Sequence, residues 1–165
     1  MKNTREKILY ITYGAMIAAL YILFTWVSEI FGLAYLTPQI RLGEALCVLV
    51  WFTPAAVPGL FAGCFLANLT MGCVIWDVVL GSLTTLFAAV IARKIKCRWI
   101  VPLPNVILNT AVIPFVILYF YMDGISLPLY GATAISVLFG EVASAYVIGL
   151  LLLFSVDRKG IFKRK

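Results

Sequence analysis

Long apolar runs with few charges constrain this chain more than any other feature of its sequence. Arg41 is the only Lys or Arg between Ile8 and Ala92, and 64% of the 165 residues are hydrophobic. A soluble domain of this length needs more polar surface than such a composition provides. Membrane β-strands alternate apolar and polar residues, whereas these runs are continuous. The sequence therefore predicts an all-α, polytopic membrane protein.

Length and proline together predict six transmembrane helices. The apolar run from Ile40 to Gly72 is too long for one ordinary span. Pro54 and Pro58 divide it, because the residue before a proline avoids helical geometry. The predicted helices cover residues 8–27, 40–53, 57–71, 75–92, 103–121 and 128–155 of a single transmembrane domain, residues 1–165.

The basic residues predict the sidedness of this six-helix bundle. They cluster before Ile8, at Arg93–Arg98 and from Arg158 to the end. The positive-inside rule places all three clusters in the cytoplasm, which requires an even number of crossings between them. Both termini are thus predicted to be cytoplasmic. Such flanks need no nucleic-acid partner, and the first apolar run is long enough to span rather than to act as a cleavable signal.

Residue sets for catalysis and metal binding are missing from the sequence. It contains no histidine, and its four cysteines form no CxxC pair. No Ser/His, Cys/His or HExxH set is present, so we predict neither an enzyme nor a metal site. The sequence also has no nucleotide-binding loop, so we predict no cofactor in this chain and expect any ATP to be used by a partner.

Two charged residues, Arg41 and Glu44, lie in an otherwise apolar region. An intramembrane charge is costly and is by default a functional-site hypothesis. Thr37 is a suitable N-cap and Pro38 suits the first helical position, so Gln39 and both charges are predicted to project from the first two helical turns. The alternative is an interhelical ion pair that only fixes packing.

Further polar residues are predicted to lie in the outer half of the membrane or near its centre. Asn68 ends the third helix, Trp76 and Asp77 open the fourth, and Asn109 and Glu141 lie deeper. Carboxylates, amides and an aromatic ring that converge on one open pocket are suited to a small polar solute. The predicted function is therefore solute binding for transport.

These polar residues also have alternative interpretations. Trp76 would serve as an interfacial anchor, Asn105 and Asn109 as interhelical hydrogen-bonding residues, and Glu141 as a protonated structural residue. A self-sufficient proton-coupled carrier, in which Glu141 or Asp77 exchanges protons, is the alternative function. The absence of a visible inverted repeat argues against it.

The first helix carries small residues at a spacing of four. Gly14/Ala18 and Ala15/Ala19 form two overlapping small-xxx-small pairs. Such pairs let another helix approach closely. They serve either packing within the bundle or contact with another protein.

Three segments in order, Pro38–Leu46, Pro58–Asn68 and Trp76–Ser82, carry a resemblance to a known family. Six helices and the Ala-xxx-Ala motif of the first helix resemble the substrate-binding S component of an energy-coupling-factor transporter. More narrowly, the three segments are similar to the QueT family of queuosine-precursor transporters. The resemblance covers about residues 8–155. It implies a cell-membrane protein, a partner module of one transmembrane coupling subunit and two ATPases, and a ligand such as 7-aminomethyl-7-deazaguanine or queuine.

The chemistry of such a ligand fits the polar residues. A deazaguanine presents two N–H donors beside a carbonyl acceptor, which a carboxylate and an amide or Arg donor would answer, while an aromatic ring such as Trp76 or Tyr35 stacks on it. Which carboxylate takes which edge stays open. The candidate substrate-binding residues are Gln39, Arg41, Glu44, Asn68, Trp76, Asp77, Asn109 and Glu141, and the resemblance implies Ala15 and Ala19 as contacts of the coupling subunit.

Overall fold

Helices form nearly all of the described structure. The computed structural model describes residues 4–32, 40–122 and 126–158. No strand occurs within these ranges, so the predicted all-α class is confirmed for this part of the chain. The elements are α1 (Thr4–Ile30), a 3-10 helix (Leu42–Trp51), α2 (Ala56–Thr70), α3 (Ile75–Lys94), a short 3-10 turn (Arg98–Ile100), α4 (Leu103–Phe120), α5 (Leu127–Glu141), a π-helical segment (Val142–Ile148) and α6 (Gly149–Arg158).

Four helical stretches in the described ranges are long and apolar enough to cross a membrane. They are α1, α3, residues Arg98–Phe120 and the continuous stretch Leu127–Arg158. The 3-10 helix has ten residues and α2 has 15. At rises of about 2.0 and 1.5 Å per residue, each is shorter than a bilayer core of about 30 Å. The described ranges therefore contain four candidate membrane spans, as a helical membrane protein requires, while six full crossings and cytoplasmic termini stay predictions.

The segment around Arg41 differs from its predicted form. The chain does divide near Pro54 and Pro58, but the first of the two helices is of the 3-10 type and begins only at Leu42. Arg41 precedes it with extended backbone, φ −104° and ψ 105°, so the prediction that Arg41 lies within the helix is wrong. One reason is local, because the Leu42 N–H donates to Ser28 Oγ of α1 at 2.8 Å. Thr37, Pro38 and Gln39 lie outside the described residues.

Both ends of the 3-10 helix are held by side chains of other helices. Ser28 accepts a hydrogen bond at its start, and Arg93 Nη1 donates to the carbonyl oxygens of Val50 and Trp51, at 2.8 and 3.0 Å, at its end. These carbonyls belong to the last turn, where helical partners run out. A 3-10 helix of this length is uncommon, so such support helps to explain its persistence. Glu44 is thereby fixed in its first turn.

The two small-residue pairs of α1 face different surroundings. A Cβ added at Gly59 of α2 would lie 2.7 Å from the Gly14 oxygen, and one added at Gly63 would lie 3.1 Å from the Ala18 Cα. Gly14 and Ala18 therefore mark the close contact between α1 and α2. In contrast, Ala15 and Ala19 are exposed. The alternative that these two alanines pack only within the bundle does not hold for the described chain.

Candidate substrate-binding site

One half of the candidate site is built around the Arg41 guanidinium. Its Nη1 donates to Asn68 Oδ1 at 3.2 Å, and its Nη2 lies 3.8 Å from Asp77 Oδ2. All three residues are buried. Gly72, with φ at +72°, lies in the turn that brings Asp77 back towards Asn68. A charged group in the low-dielectric interior requires hydrogen-bonding or oppositely charged partners. The three residues come from separate elements, namely the segment before the 3-10 helix, α2 and α3.

Tyr121 completes the surroundings of Asp77. Its hydroxyl donates to Asp77 Oδ2 at 3.2 Å and accepts a hydrogen bond from the Val74 N–H at 3.2 Å. Partial burial and the Asp77 carboxylate raise the pKa of Tyr121 to about 12, so the hydroxyl keeps the hydrogen that it donates. The other oxygen of this carboxylate, Oδ1, has no hydrogen-bond partner among the described residues.

The second half of the site is a chain of hydrogen bonds through two carboxyl groups. Tyr21 donates to Oε1 of Glu44, whereas Oε2 of Glu44 accepts from Asn105 Nδ2 at 3.0 Å. The same Nδ2 donates to Oε2 of Glu141 at 3.0 Å, and Asn109 Nδ2 donates to Oε1 of Glu141 at 3.0 Å. We call this chain the carboxyl network. It joins α1, the 3-10 helix, α4 and the end of α5.

Both halves meet at one small cavity. Its volume is about 10 Å³, which is room for roughly one water molecule. A larger solute therefore requires the walls to move apart. A guanidinium, two carboxyl groups and an amide supply the donors and acceptors of this wall, and aliphatic side chains complete it. The lining residues are Arg41, Glu44, Cys64, Gly81, Thr85, Asn109, Ile113, Val137 and Glu141.

The predicted site residues have mixed positions. Gln39 lies outside the described residues, as does Tyr35. Trp76 is 51% exposed, stacks on Phe120 with ring centroids 5.5 Å apart, and is not among the residues that line the cavity. The others are buried and lie close together, so the geometry supports a site, although substrate binding by them stays a prediction. They are Arg41, Glu44, Asn68, Asp77, Asn109 and Glu141.

The sequence did not assign Tyr21, Asn105 or Tyr121 to the site. Asn105 carried a usable signal, because it lies four residues before Asn109 and therefore on the same side of a helix. Tyr21 is hidden in an apolar run, and only the fold brings it to Glu44. Within the described ranges, no three His, Cys, Asp or Glu side chains are grouped as metal ligands.

Comparison with known proteins agrees with this architecture. A family model described as QueT transporter matches residues 11–158, which is most of the chain. No curated protein and no solved structure matches it significantly. A transporter family implies a membrane setting and a small-molecule substrate, which suits the apolar helices and the small polar cavity. From the extent of this match, we conclude that the chain belongs to the QueT transporter family.

Proposed function

We propose that this chain is the substrate-binding subunit of an energy-coupling-factor transporter and that it carries a queuosine precursor, 7-aminomethyl-7-deazaguanine or queuine. One observation carries the proposal: Arg41 lines the same small cavity as the carboxyl groups of Glu44 and Glu141. A deazaguanine ring carries N–H donors and a carbonyl acceptor on neighbouring positions. It therefore needs carboxyl and guanidinium partners within the width of one ring.

The hydrogen bonds within the carboxyl network leave capacity for a ligand. Each oxygen of Glu44 and Glu141 accepts one hydrogen bond from the described protein. A carboxylate oxygen has two lone pairs, so each retains an acceptor position. Ile113 and Val137 supply apolar contact for the faces of the ring once the cavity widens. Arg41 is the candidate donor to the ring carbonyl.

Transport in this proposal requires partner subunits. The chain has no nucleotide-binding loop, so two ATPases and a transmembrane coupling subunit in the cell membrane would supply the energy. Ala15 and Ala19 form an exposed strip of small side chains in the first half of α1. Small residues let a second helix pack closely inside a bilayer. We therefore assign this strip to the coupling subunit.

Calorimetry on the purified protein tests the ligand. We expect 7-aminomethyl-7-deazaguanine to bind and 7-deazaadenine, whose pairing edge has a different donor and acceptor pattern, to bind far more weakly. Native mass spectrometry should also detect a co-purified deazaguanine. Equal affinity for the two bases would contradict the assignment.

Uptake into proteoliposomes tests the transport mechanism. We expect accumulation only when the coupling subunit, the ATPases and ATP are present. Uptake by this chain alone, driven by a proton gradient, would instead establish the alternative of a self-sufficient secondary carrier.

A further inference from the structure

Asn105 occupies an unusual position behind the candidate site. It is 2% exposed and is not among the residues that line the cavity, although both carboxyl groups it contacts do line it. A direct role in ligand contact is therefore not indicated. Its position between Glu44 and Glu141 indicates a role that acts through them.

The amide of Asn105 bridges two carboxyl groups that belong to different elements. Its Nδ2 lies 3.0 Å from Oε2 of Glu44, in the 3-10 helix, and 3.0 Å from Oε2 of Glu141, at the end of α5. A side-chain amide has two N–H donors, so one nitrogen can serve both acceptors at once. No neutral apolar side chain of that size would hold two carboxyl groups this close.

The other atom of the amide fixes its orientation. Asn105 Oδ1 is buried and has no hydrogen-bond partner among the described residues. Rotating the amide by half a turn would place this oxygen against two carboxyl oxygens, which repel it. The observed orientation therefore gives each carboxyl group a hydrogen-bond donor but leaves Asn105 Oδ1 without one. A buried acceptor without a partner costs free energy, so packing alone does not explain this orientation.

We infer that Asn105 is a positioning residue that aligns Glu44 and Glu141 as one acceptor unit and thereby determines how strictly the site requires a ligand with adjacent N–H donors. This role rests on the proposed function. When the bridge is present, the two carboxyl groups face the cavity in a fixed relation, and a ligand that lacks one donor leaves an acceptor unpaired. Without the Asn105 bridge, the two carboxyl groups separate, and the loss of one N–H donor from the ligand lowers the affinity less.

The test compares two ligands, 7-aminomethyl-7-deazaguanine and its analogue without the 2-amino group. We expect the unaltered protein to bind the first at least about tenfold more tightly, because one buried hydrogen bond is lost with the analogue. Asn105→Asp keeps the size but carries at most one O–H donor, so it cannot bridge both carboxyl groups, and it should bring the affinity ratio close to one. Thr110→Val, on the same helix but not among the cavity-lining residues, should leave the ratio unchanged.

The affinity ratio separates positioning from general support of the fold. A merely structural Asn105 would lower both affinities by the same factor, and an unchanged ratio in Asn105→Asp would overturn the inference. Should that variant not purify in folded form, Asn105→Ser applies the same criterion, since a hydroxyl donates only one hydrogen bond. If the unaltered protein binds neither ligand, the proposed function fails as well, whereas an unchanged ratio leaves that function intact.

Discussion

The hydroxyl of Tyr21 donates to Oε1 of Glu44, which connects the middle of α1 directly to the carboxyl network. Tyr21 is 1% exposed. On one side it lies against Gly63 of α2, and on the other against Gly43 of the 3-10 helix. A Cβ added at Gly63 would lie 2.7 Å from the Tyr21 Cβ, and one added at Gly43 would lie 3.2 Å from Cε1 of the Tyr21 ring, so Tyr21 is packed closely between α2 and the 3-10 helix. The position of Glu44 therefore depends on how α1 packs.

Removing this hydroxyl should weaken ligand binding without unfolding the protein. In Tyr21→Phe, Glu44 Oε1 loses its donor, and a buried hydrogen bond to a carboxylate is worth about 1.5–3 kcal/mol. We expect an affinity loss of about tenfold or more by calorimetry. Tyr130→Phe is the matched control, because the Tyr130 hydroxyl donates to the Ala111 carbonyl away from the cavity. Equal affinities in the two variants would exclude Tyr21 from the site.

Charge alone should not replace the guanidinium at position 41. Arg41 reaches Asn68 and Asp77 with two different nitrogens. An ammonium group offers one point of charge in place of this fork. Arg41→Lys should therefore lose much of the affinity that Arg41→Ala loses, while the protein remains folded in detergent. If the lysine variant binds as tightly as the unaltered protein, the fork geometry has no role in recognition.

Glu141→Gln tests whether both oxygens of this side chain act as acceptors. Each accepts from an amide, Oε2 from Asn105 and Oε1 from Asn109. A glutamine brings an N–H₂ group against one of these donors, and a buried group left without a partner costs about 1–3 kcal/mol. We expect calorimetry to show affinity reduced about tenfold or more. Normal binding would mean that Glu141 does not read the donor edge of the ligand.

The close contact between α1 and α2 makes a prediction about stability. A Cβ at Gly59 would lie 2.7 Å from the Gly14 carbonyl oxygen, which is backbone and cannot turn aside. Gly59→Ala should therefore lower the free energy of unfolding by about 1–3 kcal/mol, the usual cost of overpacking. Gly131→Ala is the control, since no atom lies within 4 Å of a Cβ added there. Thermal unfolding in detergent should show a lower midpoint for the first variant only.

Sequence reasoning located the charged residues better than it located the backbone that carries them. Arg41 and Glu44 stood out because the membrane penalises charge, and both are buried at the cavity. The sequence could not predict that the helix after Arg41 is of the 3-10 type. A helix that is apolar on every side has no hydrophobic period of 3.0 or 3.6 residues to tell the two forms apart. Asn105 and Tyr21 gain their roles from contacts between distant helices, which no local pattern records.

Trp76 illustrates the opposite difficulty. Its place with Asp77 at the start of the predicted fourth helix suggested a ring that stacks on the ligand, yet neighbours in a helix point in different directions. Asp77 is buried, whereas Trp76 is half exposed and stacks on Phe120. Adjacency in sequence therefore carried little information about which of the two side chains is buried beside Arg41.

Exposed alanines of α1 allow substrate binding to be separated from coupling. Ala15 and Ala19 lie on the outside of the described chain, whereas Gly14 and Ala18 mark the contact with α2. A bulky side chain at either exposed position would hold a partner helix away, because close approach depends on small residues. We expect Ala15→Trp and Ala19→Trp to keep ligand affinity but lose co-purification with the coupling subunit and ATP-dependent uptake.

Ala132→Trp supplies the matched control, since it places the same ring at an exposed alanine of α5. This variant should retain both ligand binding and coupling, because Ala132 lies outside the strip assigned to the coupling subunit. The dispersion contacts of that interface are lost only where its two surfaces no longer fit. Assembly and transport by the Ala15→Trp, Ala19→Trp double variant would refute the assignment of this strip. Loss of ligand affinity in that variant would instead show that these alanines support the bundle, because no partner is needed for ligand binding in detergent.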